Sequence, residues 1–444
     1  MKHQFFWIAL ILCLFQFCSP LESFDLIILN GSVYDGTGVA AQKLDIGIRG
    51  DQIVKMGQLD STPSKRVIDA EGLIVSPGFI DTHVHLDPMD SFIKLADAES
   101  HIRQGVTTSF GGPDGRGVPP EYGFKEFLDS IEKVGIGMNV GFLTGHNKVR
   151  KVVMGLDNRA PTEEELNLMV SMVSQAMEEG AYGISTGLKY LPGNFSNVDE
   201  VIALSKAASN KKGVYTSHLR DEGLEIMPAI REAIQISKEA DIRVVLTHHK
   251  VIGKPMWGKS NETLALVDSA RQKGLKIRLD QYPYNASHTG ISVLIPTWAR
   301  AGGASAFKAR VENPIQKEQI ENEIIFNILN DRGGDDLRRI QFAKVNWMPE
   351  LEGKTLYDWA LMKKMEPTLA NGAKLVVQAQ LNGGASCIFH AMDEADVENI
   401  MKHPFTMIAS DGRLSEPGVG HPHPRAYGTF QRALGHPLLD TQII

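Results

Sequence analysis

From Phe24 to Val75 the apolar positions read as β structure. Leu26 to Leu29 form an apolar run that stops at the turn residues Asn30 and Gly31. Asp45 to Arg49 alternate, Gly50 and Asp51 turn the chain, and Gln52 to Val54 return, a hairpin signature. Residues 23–76 are therefore expected to form a small N-terminal β-sandwich segment. From Phe79 onward the pattern becomes strand then helix, repeated. Apolar, β-branched runs predict eight strands, centred on 82–85, 106–110, 139–143, 182–186, 214–218, 243–248, 276–280 and 406–410. Between them the apolar period is that of a helix. Thr162 with Glu165 is a capping box, followed by Leu166, Met169, Met172, Val173 and Ala176 and stopped by Gly180. Asp199 opens a further helix, and 225–240 and 263–273 read as two more. Alternating units of this length predict an α/β protein with a parallel sheet, and eight of them a closed (β/α)8 TIM-like barrel over residues 77–444. The spacing widens between the seventh and eighth strands. This predicts an inserted subdomain at about 301–375, with an amphipathic helix over 320–329.

Composition narrows the class. The 444 residues suffice for one large domain and a smaller one, and 43% hydrophobic with 22% charged residues is ordinary for a globular enzyme. A net charge of −7 without a basic run argues against a nucleic-acid surface. Lys2 and His3 precede an apolar stretch over 5–17 that is short for a bilayer span and is broken by Ser19 and Pro20. Residues 1–22 thus read as a signal peptide, implying a secreted or periplasmic protein. Cys18 opens a second reading, a membrane-anchored lipoprotein, although Phe17 before it is bulky. Cys13 and Cys18 lie in this segment, which leaves Cys387 and no internal disulfide in the mature chain.

The candidate chemistry lies at strand ends. His83 and His85 alternate along one strand, so their rings project from one face as a pair of imidazole ligands. His218, His248 and Asp411 each end a separate apolar run. In a barrel these C-terminal strand ends surround the active site. Imidazole and carboxylate together suit Zn²⁺ first, with other divalent ions possible. His249 should face away from its neighbour His248 by strand alternation. His421 and His423, among prolines, read as loop residues.

The stretch Pro77-Gly78-Phe79-Ile80-Asp81-Thr82-His83-Val84-His85 resembles the first-strand motif of the amidohydrolase superfamily. From about Asp25 to His436 the chain resembles the D-aminoacylase (N-acyl-D-amino-acid deacylase) branch. The resemblance implies a metal site in this order of ligands, with one or two ions. It also implies a cysteine after the second strand, where this chain has Asp114. Asp114 could ligate through oxygen or be a turn residue; alternatively a carbamylated Lys189 could bridge two ions. The implied reaction is hydrolysis of N-acyl-D-amino acids by a metal-activated hydroxide, with Asp411 as general base and then acid. Arg425, Tyr282 and Lys250 are expected to hold the substrate α-carboxylate, and His146 either to lie near the substrate or behind a ligand or to be a satisfied structural histidine. His288 stands where relatives carry a small hydroxyl residue. A cyclic-amide hydrolase, of the dihydropyrimidinase or hydantoinase kind, is the neighbouring reading. The resemblance lapses after His436, where relatives continue into strands that complete the sandwich. An incomplete sandwich and a truncated, non-catalytic product are therefore also expectations.

Overall fold

The computed structural model describes residues 23–87, 89–118 and 123–435. The segment read as a signal peptide, Cys18 within it, and the residues after Gly435 lie outside the described residues. The chain divides into two compact units at Gly78 and Phe79.

The first unit is a five-stranded mixed sheet. Phe24–Val33 is its centre, paired antiparallel with Gln42–Arg49 and parallel with Ser64–Asp69 and Ile74–Val75. The expected hairpin is present: Gln52–Gly57 returns along Gln42–Arg49 around Gly50, whose φ of 61° suits a residue without Cβ. Phe24, Ile27 and Leu59 form its apolar centre. Asp45 is buried among them and accepts from the backbone N–H groups of Asn30 (2.8 Å) and Leu59 (2.7 Å), so its charge does not stand unsatisfied.

The second unit is the barrel. Phe79–Asp81, Val106–Gly111 and Asn139–Phe142 pair in parallel. Thr144–Gly145 continues into Gly183–Gly187, Val214–His218, Arg243–Leu246, Ile277–Gln281 and Thr406–Ile408, again parallel throughout. Gly412–Arg413 pairs with Val84–His85 and joins the last strand to the first. The first strand is thus split, and His83 sits in the break. There the Asp81 carboxylate accepts from the N–H of His83 (3.2 Å) and of Ser410 (3.0 Å), a side chain replacing the ladder. Helices Glu163–Glu178, Val198–Ser209, Ile226–Ala240 and Ser260–Gln272 cover the strands. The first carries the predicted reciprocal cap between Thr162 and Glu165. Met169, Val173, Val201, Leu204, Ile230 and Ile236 share one buried apolar cluster with Ile184, Tyr215 and Leu246 of the strands.

The insertion is larger than 301–375. It includes an antiparallel sheet in which Ser386–Phe389 lies between Ser287–Gly290 and Ile340–Lys344. Ser287–Gly290, with the sequence SHTG, has no apolar alternation, so its strand character comes from pairing rather than pattern. The expected helix at 320–329 begins earlier, as Pro314–Asn327 capped by Asn313, and passes into a π turn, Ile328–Arg332. Ile320, Phe342, Trp359 and Phe389 belong to a core of the insertion's own.

Candidate metal centre

Six side chains meet at the C-terminal ends of the barrel strands. His83 and His85 come from the split first strand, Asp114 follows the second, His218 ends the fifth, and His248 and Asp411 follow the sixth and eighth. Asp114 is the hub. Its Oδ1 lies 3.6 Å from His83 Nε2 and 3.4 Å from His248 Nε2. Its Oδ2 lies 3.4 Å from His85 Nε2 and 3.6 Å from His218 Nδ1. Asp411 Oδ1 closes the ring at 3.4 Å from His83 Nε2 and 3.1 Å from His85 Nε2. Ligand atoms therefore gather in two overlapping groups, His83, His85, Asp114 and Asp411, and Asp114, His218 and His248.

This convergence is held by unusual backbone. Asp114, His248 and Asp411 all have positive φ, at 54°, 38° and 48°. Such angles cost a non-glycine residue roughly 1 kcal/mol or more, and persist where surrounding structure imposes them, as at functional sites. Gly187 makes room for the Asp114 turn: a Cβ there would stand 2.3 Å from the Asp114 carbonyl oxygen.

The donor set fits a divalent cation. His83 Nε2, Asp114 Oδ1 and Asp411 Oδ1 are buried without a hydrogen-bond partner, and all three face the shared centre. Orphaned polar atoms of this kind are costly unless something binds them. Around the ligands stands a supporting layer. Asp280 Oδ1 accepts from the His248 N–H (2.5 Å) and lies 3.9 Å from His83 Nδ1. Glu222 Oε1 lies 3.1 Å from His248 Nδ1 and accepts from Lys250 Nζ at 2.6 Å. Carboxylates behind ligand imidazoles orient the rings and raise their basicity.

A model of the Amidohydrolase family matches residues 66–289. The chain is 32% identical over 450 residues to D-aminoacylase of Alcaligenes xylosoxydans xylosoxydans, spanning 95% of this chain and 81% of that protein. The chain belongs to the amidohydrolase family. Within the family it falls in the D-aminoacylase branch. N-acyl-D-glutamate deacylase of the same organism is 32% identical over 445 residues, 95% of this chain and 80% of that one. Among solved structures, this amidohydrolase is similar to N-acyl-D-glutamate deacylase from Bordetella bronchiseptica, complexed with zinc and a phosphonate mimic of the tetrahedral intermediate. The TM-score is 0.76 at 30% identity, over 95% of this chain and 82% of that one.

The structure brings His83, His85, Asp114, His218, His248 and Asp411 together, but not every residue expected with them. Lys189 is the correction. Its Nζ donates to Asp221 Oδ2 at 2.8 Å and lies 3.4 Å from Asp331, two residues beyond the end of the fourth strand. Burial opposes its charge, but Asp331 and Asp221 raise its pKa, and neither of these partners belongs to the two ligand groups. Asp114 occupies the position between the two ligand groups instead. His146 falls on the structural one of its two readings. Its Nε2 lies 2.7 Å from Glu200 Oε1, which Arg150 also engages, so it is a buried structural histidine outside the cavity. Lys250 lines the cavity, and its Nζ lies 2.6 Å from both Glu222 and His248 Nδ1. Arg425 donates to Asp411 Oδ2 at 2.6 Å and stacks over Tyr282, 4.7 Å to the ring centre. His249 does face away, with its Nε2 3.0 Å from the Thr263 hydroxyl. Glu222, Asp280, Arg300 and Arg332 were missed. Glu222, four residues after His218 in His218-Leu219-Arg220-Asp221-Glu222, carried the one readable signal.

Electrostatics in this cluster are strongly coupled. Burial opposes ionisation of Asp114, yet His83, His248 and His218 hold it well below the usual carboxylate range. Burial likewise opposes the charged ring of His85, but Asp114, Asp411 and Asp87 raise it to about 9. At His248, burial and Lys250 oppose, while Asp114 and Glu222 raise the ring to about 10. In chelator-treated protein these raised values stabilise the fold fully below about pH 6.5, the unfolded imidazole value, and the contribution disappears as pH rises through 9 to 10. The melting temperature of chelated protein should therefore fall more between pH 7 and 10 than that of metal-loaded protein. Parallel pH profiles for the two forms would discard this assignment.

Proposed function

We propose that this amidohydrolase cleaves the amide bond of N-acyl-D-amino acids with zinc held by His83, His85, Asp114, His218, His248 and Asp411. The buried, partnerless ligand atoms around Asp114 carry the reading, because they leave a cation-shaped demand on the floor of a cavity of about 590 Å³. The relatives support it: they are named as D-aminoacylase and N-acyl-D-glutamate deacylase, one of them solved with zinc. Bound there, zinc supplies a Lewis acid that polarises the amide carbonyl and makes water acidic enough to attack near neutral pH.

The chain's own groups do the rest. Burial opposes ionisation of Asp411, but Arg425, His83 and His85 hold its pKa well below the usual carboxylate range, so it enters the reaction as a base. Asp411 takes the proton of the attacking water and passes it to the nitrogen of the leaving amine. One carboxylate serves both transfers because the water has already been acidified. Tyr282 Oη and Arg425 Nε are buried donors without an acceptor, and both residues line the cavity. They are suited to the α-carboxylate, which a guanidinium and a phenol recognise by charge-assisted hydrogen bonds.

The test is release of free amine from N-acetyl-D-methionine and N-acetyl-L-methionine by zinc-loaded protein. The D-isomer should be hydrolysed with kcat/KM at least about 100-fold higher. Preference for the L-isomer, or for dihydrouracil and hydantoins over both, overturns the assignment.

A further inference from the structure

The cavity above the metal centre is rich in positive charge. Most of that charge is already engaged. Arg116 pairs with Asp87 at 2.9 Å, Lys250 with Glu222 at 2.6 Å, Lys344 with Glu352 at 3.0 Å and Arg425 with Asp411 at 2.6 Å. Arg332 is buried 3.4 Å from Asp331 and donates to the Ser287 hydroxyl at 3.2 Å, and Arg413 donates to the Asp87 carbonyl oxygen at 3.1 Å. Arg300 differs. It ends the short helix Thr297–Arg300 in the insertion and lines the same cavity. Among the described residues no carboxylate lies within ion-pair distance of it, and its buried Nε has no acceptor. Burial alone, with no compensating charge, pulls its pKa down to about 10, which still leaves it cationic near neutral pH.

Arg300 is half-buried, and a guanidinium withdrawn in part from water without a counter-ion is costly unless a ligand supplies the missing anion. The rest of the lining suits a polar ligand. Asn346, Gln380 and Asn382 contribute amides, whereas Ile291 and Trp347 are among the few large apolar groups. A long aliphatic chain would find little to pack against.

We propose that Arg300 is a specificity-determining residue that binds a second carboxylate of the substrate, beyond the α-carboxylate. The preferred substrate is then dianionic. The inference rests on the deacylase reading and adds the substrate class. The second carboxylate can be carried by the amino-acid side chain or by the far end of the acyl group, and both would meet the guanidinium by the same bidentate chemistry.

Three substrates separate these sources: N-acetyl-D-glutamate, N-succinyl-D-methionine and N-acetyl-D-methionine. At least one of the two dianions should show kcat/KM roughly 10- to 100-fold above the neutral side-chain, acetyl compound, the range of one charge-assisted hydrogen-bonded pair. The better of the two names the source. Arg300→Met should collapse that ratio towards one, and Arg300→Lys should retain most of it. Because the readout is a ratio within one preparation, partial misfolding does not imitate the result. Equal kcat/KM for all three compounds, or a ratio unchanged in Arg300→Met, overturns the inference and leaves the deacylase reading standing. If no substrate is hydrolysed, the deacylase reading fails. Calorimetric binding of D-glutamate and succinate to wild type and Arg300→Met then decides the inference. Equal or absent binding in both overturns it, and weaker binding in the variant upholds it.

Discussion

Asp411→Asn should keep zinc near the wild-type content and lose kcat on N-acetyl-D-methionine by about 10²- to 10⁴-fold, the range of a positioned general base. The geometry explains the separation. The amide oxygen of Asn can still face His83 and His85, 3.4 and 3.1 Å away, but it cannot accept and return a proton. Arg425 would lose a charged acceptor at 2.6 Å as well, so part of the loss reports a shifted guanidinium. The positive φ of 48° is not an obstacle, because Asn tolerates the left-handed region. Elemental analysis and steady-state rates on one preparation check both halves. Turnover within a few-fold of wild type removes Asp411 from the proton path, and loss of zinc makes it a ligand before all else.

Asp114→Asn should do the opposite and weaken zinc retention by roughly 100-fold or more. Asp114 is the only one of the six side chains common to both groups of candidate ligands. Its two oxygens each lie near one histidine of the first strand and one from the fifth or sixth. An amide offers a single weak oxygen and no charge, so the four imidazoles lose their shared counter-ion. The φ of 54° remains acceptable to Asn, which keeps backbone strain out of the comparison. The two pH profiles of melting temperature should also converge, since His85 and His248 owe part of their raised basicity to this carboxylate. Dialysis against buffer followed by metal analysis is the direct measurement. A full metal complement after dialysis would show that Asp114 only fills space between ligands.

The two predictions draw on different kinds of legibility. His83, His85, His218, His248 and Asp411 could be read from the chain because each ends an apolar run whose period is a local property. A strand presents alternate residues on one face, and a parallel barrel turns all its C-terminal ends to one side. The helices were legible for the same reason, down to the Thr162 cap. Asp114 and Lys189 could not be separated in this way. Both follow strand ends, and their roles depend on partners that lie far away in sequence. Lys189 finds Asp221 and Asp331, while Asp114 is carried to the ligands by a left-handed turn resting on Gly187. His146 is undecided in the sequence on equal grounds, since Glu200, 54 residues away, takes its ring.

Arg425 and Arg300 illustrate the remaining limit. Whether an arginine is engaged or available depends on which carboxylates the fold brings within reach, and here Arg425 meets Asp411 while Arg300 meets none among the described residues. Local pattern thus dictated the barrel, the order of its strands and five of the candidate ligands, because backbone geometry repeats over a few residues. Pairing of charges, the full extent of the insertion and the placing of Asp114 among the candidate ligands were decided by folding, because Coulomb and hydrogen-bond energies depend on distances that sequence spacing does not encode.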